Sequence, residues 1–156
     1  MTCPFCEIAA GEAPCHKIWE DADHMAFLSI FPNTPGFSVV IPKRHVSSYL
    51  FDQEDEVVSE LVLASKRVGR LLDRALEGVA RTGLIFEGYG VDHLHAKLFP
   101  MHGTGDSSAF RPVESNVDKY FERYEGYISS HDYRRADDDV LGARAARIRA
   151  YGEASS

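Results

Sequence analysis

His93, His95 and Lys97 occupy alternate positions of the segment HLHAK, with Leu94, Ala96 and Leu98 interleaved. In an extended strand this spacing sends the proton-carrying side chains to one face and the apolar ones to the other. Such a row has three readings: a solvated sheet face, a set of metal ligands, or a place where phosphorus chemistry is done. A histidine attacks phosphorus when one ring nitrogen is unprotonated and the other donates to a carbonyl or carboxylate. Neighbouring cations and donors then stabilise charge on the phosphate oxygens. His95, flanked on its own face by His93 and Lys97, is the candidate nucleophile.

Cys3 and Cys6 form a CPFC pair whose gap of two residues lets both thiolates reach one metal ion, a site that needs two further ligands. His45, closing the run IPKRH, and His93 can supply them if the fold brings their segments together. Otherwise the cysteines are an incidental terminal pair and His45 a surface histidine after a proline turn. Cys15 makes the count odd, which speaks against a disulfide framework.

These groups must be positioned by the surrounding elements. HMAFLSI (24–30) and FSVVIP (37–42) read as two antiparallel strands joined by the turn FPNTPG, and GLIFEGYG (83–90) as a further strand with a glycine-rich bend. Between them, Val57, Leu61, Ala64, Val68, Leu71 and Leu72 recur at helical spacing, predicting a helix over 52–77. Asp52 is its expected cap, with Glu54, Asp55 and Glu56 in the first turn and Arg74 late. Residues 116–125 read as a short amphipathic helix broken at Gly126, and DDDVLGARAARIRA as a final helix. Tyr127 and His131 in the tail are candidates for approach to a ligand or another subunit.

At 156 residues the chain suits one domain with its own core, expected over 1–150 with a helical C-terminal extension and a flexible tail at 151–156. A net charge of -7 argues against broad attraction to nucleic acid or an anionic membrane. No apolar run is long enough to span a bilayer and no secretory signal is visible, so a cytoplasmic location is expected.

The ordered pieces CPFCEI, GEAP, KIWED, MAFLSIFPNTPGFSVVIPKRH, the helix at 52–77 and the HLHAK strand together resemble the histidine triad (HIT) superfamily, in its branch of small nucleotide hydrolases and nucleotidyl-transfer proteins. The resemblance runs from about Cys3 to Pro100. It implies an α+β fold, an antiparallel sheet with one long and additional short packed helices, often as a homodimer. It also implies a purine nucleotide or related phosphate ester as partner, held by Phe27, Leu28, Ser29 and Ile30 on the base and ribose side. The implied activity is hydrolysis of a nucleoside phosphate derivative or dinucleoside polyphosphate through a nucleotidyl intermediate on His95, with Lys97 binding phosphate. The alternative is a nucleotide-binding regulatory homodimer with little or no catalysis. Zinc-bearing bacterial relatives match Cys3, Cys6, His45 and His93 as the ligands of a structural zinc.

Departures from that pattern fall at chemical positions. Lys97 replaces the third histidine, and Tyr89 and Gly90 stand where a glutamine and a hydroxyl residue approach the triad, with Glu87 the candidate for the amide's place. Ser29 replaces a ribose-binding aspartate and Phe37 a histidine. Glu87, Tyr89, Gly90 and Lys97 are accordingly the expected contacts on the phosphate side.

Overall fold

The computed structural model describes residues 2–105, 109–128 and 133–153, so His131 lies outside the described residues. Five strands, β1 (Lys17–Glu20), β2 (His24–Leu28), β3 (Ser38–Pro42), β4 (Val79–Ile85) and β5 (Ala96–His102), form one sheet in the order β1-β2-β3-β5-β4. Every neighbouring pair is antiparallel. Three helices, α1 (Pro4–Ala10), α2 (Asp55–Ala75) and α3 (Asp138–Glu153), complete the expected α+β fold.

Strand alternation divides the interior in two. Ala26, Leu28, Val40, Ala96 and Leu98 turn to one face and meet Leu61, Ala64, Val68, Leu71 and Leu72 of α2 and Leu141, Ala145 and Ile148 of α3. Met25, Phe27, Val39 and Ile41 turn to the other, where Phe5, Ile8 and Ala9 of α1 pack on them. The register aligns Phe27 with Val39 and Val39 with Lys97, so Lys97 belongs to the α1 face. Leu94 joins the α2 side, as the alternation requires.

The solvated-face reading of HLHAK is excluded, because His93, His95 and Lys97 are buried at 0%, 3% and 3% exposure. The strand itself starts later than expected, at Ala96. His93 and His95 precede it, where the Leu94 N–H donates to the Val46 carbonyl at 2.7 Å and leads the chain into the sheet.

Other boundaries shift for local reasons. Asp52 does not cap the long helix. It ends a 3-10 turn over Leu50–Asp52, Gln53 is extended at φ -92° and ψ 152°, and α2 begins only at Asp55. Asp55 and Glu56 in its first turn and Arg74 in its last match the helix dipole. The expected strand at 83–90 is β4, which begins at Val79 and ends at Ile85. Gly88, at φ +72°, turns the chain away, and a Cβ there would lie 2.8 Å from the Ser48 carbonyl oxygen.

Residues 116–125 form no helix, contrary to expectation. Val117 and Tyr120 stay 71% and 88% exposed, and a short helix without a buried apolar face has little to hold it. The last helix runs on through Glu153, past the expected end at residue 150.

Candidate active site and metal cluster

α1 brings the cysteines to the sheet. Pro4 sits at its first position, where a missing N–H costs nothing, and Gly11 closes it in the left-handed conformation at φ 76°. Cys3 Sγ lies 3.3 Å from His93 Nδ1, and Cys6 Sγ lies 3.4 Å from His45 Nδ1 and 3.5 Å from His93 Nδ1. The donor atoms of Cys3, Cys6, His45 and His93 all fall within 4.8 Å of one another, a group able to hold a metal ion. His93 Nε2 donates to the Pro42 carbonyl at 2.8 Å, which leaves Nδ1 unprotonated toward the thiols.

His95 is oriented by its own backbone. Its Nδ1 donates to the His93 carbonyl at 2.6 Å, so Nε2 carries the lone pair. Burial pushes the imidazole below its ordinary pKa, and the nearby Lys97 charge adds to the effect. Both effects favour the neutral ring, the form in which an imidazole can act as a nucleophile.

His95 and Lys97 line a cavity of about 230 Å³ together with Phe27, Leu28, Ser29, Ile30 and Gly90. Seven expected site residues thus meet in one concavity. Ser29 Oγ accepts the Phe31 N–H at 3.1 Å, so the hydroxyl is fixed locally while its proton remains available to a ligand.

Glu87 and Tyr89 do not line the cavity wall. Glu87 lies behind Lys97, and the two side chains form a buried ion pair at 5% and 3% exposure. Glu87 Oε2 also accepts the Tyr89 N–H and the Tyr124 hydroxyl, both at 3.2 Å. Burial alone would raise the Glu87 carboxyl, but the hydrogen bond and charge of Lys97, with these two donors, hold it below its ordinary pKa. The Tyr89 ring is 84% exposed and lies 5.9 Å from that of Tyr124. Tyr127 stacks on Phe121 at 4.5 Å. His102 Nε2 donates to the Pro35 carbonyl, and Phe37 stacks on Phe99, so both serve the framework.

Several contributors were missed from sequence, among them Ile8 and Val39 of the cavity wall, and Phe5 and Tyr124 matter most. Phe5 meets the rings of Phe27, His93 and His95 edge-on at 5.5, 5.8 and 5.3 Å, joining the metal cluster to the cavity. The helical spacing of Phe5, Ile8 and Ala9 after a proline was the available signal. Tyr124 carried none, because its partner Glu87 is distant in the chain.

An antiparallel sheet with a long helix on one face, and paired cysteines and histidines on the other, defines an α+β protein of HIT-like architecture. Residues 10–104 match the HIT domain, and the chain belongs to that family. Proteins of this fold are in general nucleotide hydrolases or transferases. Protein hit of Bacillus subtilis is 32% identical over 108 residues, covering 67% of this chain and 74% of that protein. Adenosine 5'-monophosphoramidase hnt1 of Schizosaccharomyces pombe is 32% identical over 100 residues, 64% of this chain and 74% of its own. The crystal structure of a Zn-bound histidine triad family protein from Mycobacterium smegmatis superposes with a TM-score of 0.68 at 24% identity, over 100% of this chain and 99% of that one, and speaks for the fold alone. Among the described residues no helix is long and apolar enough to cross a membrane.

Proposed function

We propose that this chain hydrolyses a nucleoside phosphate derivative, a class that includes dinucleoside polyphosphates, through a nucleotidyl intermediate on His95. The orientation of His95 in the cavity carries the reading: Nδ1 is tied to a carbonyl and Nε2 is basic beside Lys97. Nε2 attacks the α-phosphorus, the bond from phosphorus to the leaving group breaks, and the leaving group departs with the electron pair and takes up a proton. Water then attacks the same phosphorus, the phosphorus–nitrogen bond breaks, and nucleoside monophosphate leaves with His95 neutral again. Phe27 and Ile30 offer an apolar bed for a purine and Ser29 a hydroxyl for the ribose, while Leu28, whose side chain turns into the α2 core, borders the cavity between them. The named activity of the fission yeast relative agrees with chemistry at an α-phosphorus.

The metal we assign to Cys3, Cys6, His45 and His93 is zinc in a structural role. Donors around a tetrahedral zinc, with bonds of about 2.3 Å to sulfur and about 2.0 Å to nitrogen, lie about 3.5 Å apart. The observed sulfur–nitrogen separations of 3.3, 3.4 and 3.5 Å fit that spacing. Four protein donors leave no open position, so the ion would hold α1 to the sheet without contributing to the chemical step. We infer a homodimer, the assembly that the family resemblance implies, and equilibrium sedimentation tests it.

The test of the activity is to quench reactions of labelled nucleoside phosphoramidates and dinucleoside polyphosphates and map the label. Label on His95 is expected. The absence of both turnover and labelling across a broad nucleotide panel would refute the hydrolase reading. Tight purine nucleotide binding without turnover would favour the regulatory alternative, which the engagement of Lys97 by Glu87 supports.

A further inference from the structure

Among the described residues that line the cavity, Lys97 carries the only formal positive charge at neutral pH. An ammonium alone there would make the phosphate side cationic and favour ligands with several negative charges. Glu87 removes that excess. One carboxylate oxygen meets Lys97 Nζ, and the other accepts from the Tyr89 N–H and the Tyr124 hydroxyl. A carboxylate held on both sides has no free rotation by which to leave Lys97 to an incoming phosphate. Both the Lys97 and Glu87 charges are felt at the His95 ring, so they act on the reacting centre with opposite sign.

We propose that Glu87 is a specificity-determining residue: it neutralises Lys97 and makes the cavity discriminate against nucleotides bearing a polyphosphate chain. The inference rests on the nucleotide reading above and narrows it. The preferred ligand is a nucleoside monophosphate whose α-phosphorus bears an uncharged group. Tyr124 acts through Glu87, as a positioning residue that fixes the carboxylate. This brings part of the C-terminal segment, at 109–128, into the control of specificity.

The test compares the affinities of the full chain for adenosine 5'-monophosphate and adenosine 5'-triphosphate by calorimetry. Neither measurement needs turnover, so it is separate from the labelling test of catalysis. Wild-type protein should favour the monophosphate. Glu87→Gln adds one positive charge to the site and should raise the triphosphate-to-monophosphate affinity ratio on the order of tenfold at low salt, with the gain shrinking as salt is added. The double variant E87Q/K97M restores neutrality with two uncharged side chains and should keep the wild-type ratio within about threefold, since the site charge is unchanged. A folded E87Q protein with an unchanged ratio would overturn the proposal. Should E87Q fail to fold, a double variant whose ratio departs more than threefold from wild type would overturn it instead. Binding of neither nucleotide to the wild-type chain would overturn the inference and the nucleotide reading together, whereas the expected ratios without label on His95 would leave specificity standing and refute catalysis alone.

Discussion

Replacing Cys6 by serine should release α1 from the sheet while the opposite core stays folded. Seven residues are too few for an isolated helix, which needs roughly 12–15 even in favourable sequences. Ordering them costs about 7 kcal/mol of backbone entropy at roughly 1 kcal/mol each. The half-buried Phe5, Ile8 and Ala9 recover about 3 kcal/mol against Met25, Phe27, Val39 and Ile41. About 4 kcal/mol must come from elsewhere, well within the roughly 10–16 kcal/mol that structural zinc supplies in small sites. Losing one of two thiolates weakens that supply at its strongest contacts. Hydrogen exchange read by mass spectrometry, with metal content measured on the same samples, is the appropriate assay. In C6S, amides of residues 7–11 should lose protection and metal stoichiometry should fall, while amides of Leu61–Leu72 remain protected. Nucleotide affinity should drop as well, since Phe5 and Ile8 wall the cavity. A C6S protein with α1 protected and one metal retained would refute the reasoning, as would metal-free wild-type protein with α1 equally protected.

His95→Ala should abolish label transfer and lower turnover at least 10³-fold, an order set by losing a covalent nucleophile, while calorimetric affinity for adenosine 5'-monophosphate changes only severalfold. Acidification should destabilise the fold through Glu87, whose carboxyl lies below its ordinary pKa. The stabilisation is full above the unfolded-state value, about 4.3, and is lost as pH falls through the lower folded value. Thermal unfolding from pH 6 to 3 should therefore fall less steeply in E87Q than in wild type. Gly88→Ala should cost about 1–3 kcal/mol in urea unfolding, because φ +72° and the Ser48 carbonyl both oppose a side chain. A cost below about 0.5 kcal/mol, under the range of about 1–3 kcal/mol for strain of this kind, would show that the turn relaxes.

What was legible in the sequence followed from periodicity and from residue chemistry. The alternation of HLHAK separated Leu94, Ala96 and Leu98 from His93, His95 and Lys97, and the helical spacing of Leu61, Ala64, Val68 and Leu72 located the core of α2. Helix ends were less legible: Asp52 offered the better side chain for a cap, but the chain is still extended at Glu54, φ -60° and ψ 145°, and α2 starts after it with no side-chain cap hydrogen bond. The failed helix at 116–125 had adequate local pattern but no surface to bury it. Burial itself was the largest gap. Nothing in alternation says that both faces of the HLHAK segment are covered, and α1, which covers one of them, was read only as a cysteine pair.

The same topology explains why Lys97 and Glu87 act as one unit. β4 and β5 pair Ile85 with Lys97, and Glu87 follows Ile85 by two positions, which returns its side chain to the face of Lys97. That face is otherwise apolar where Val39 aligns with Lys97 and Phe27 with Val39. An ammonium placed there without an anion would lose its hydration and gain nothing equivalent. A histidine in its place could be buried neutral and would not require a carboxylate. Lys97 thus comes with its countercharge, and the neutral pair is a fixed dipole where a histidine would be a titratable ring. Lys97 therefore cannot be weighed as a free cation added to a familiar site, because its effect on any phosphate includes the carboxylate held directly behind it.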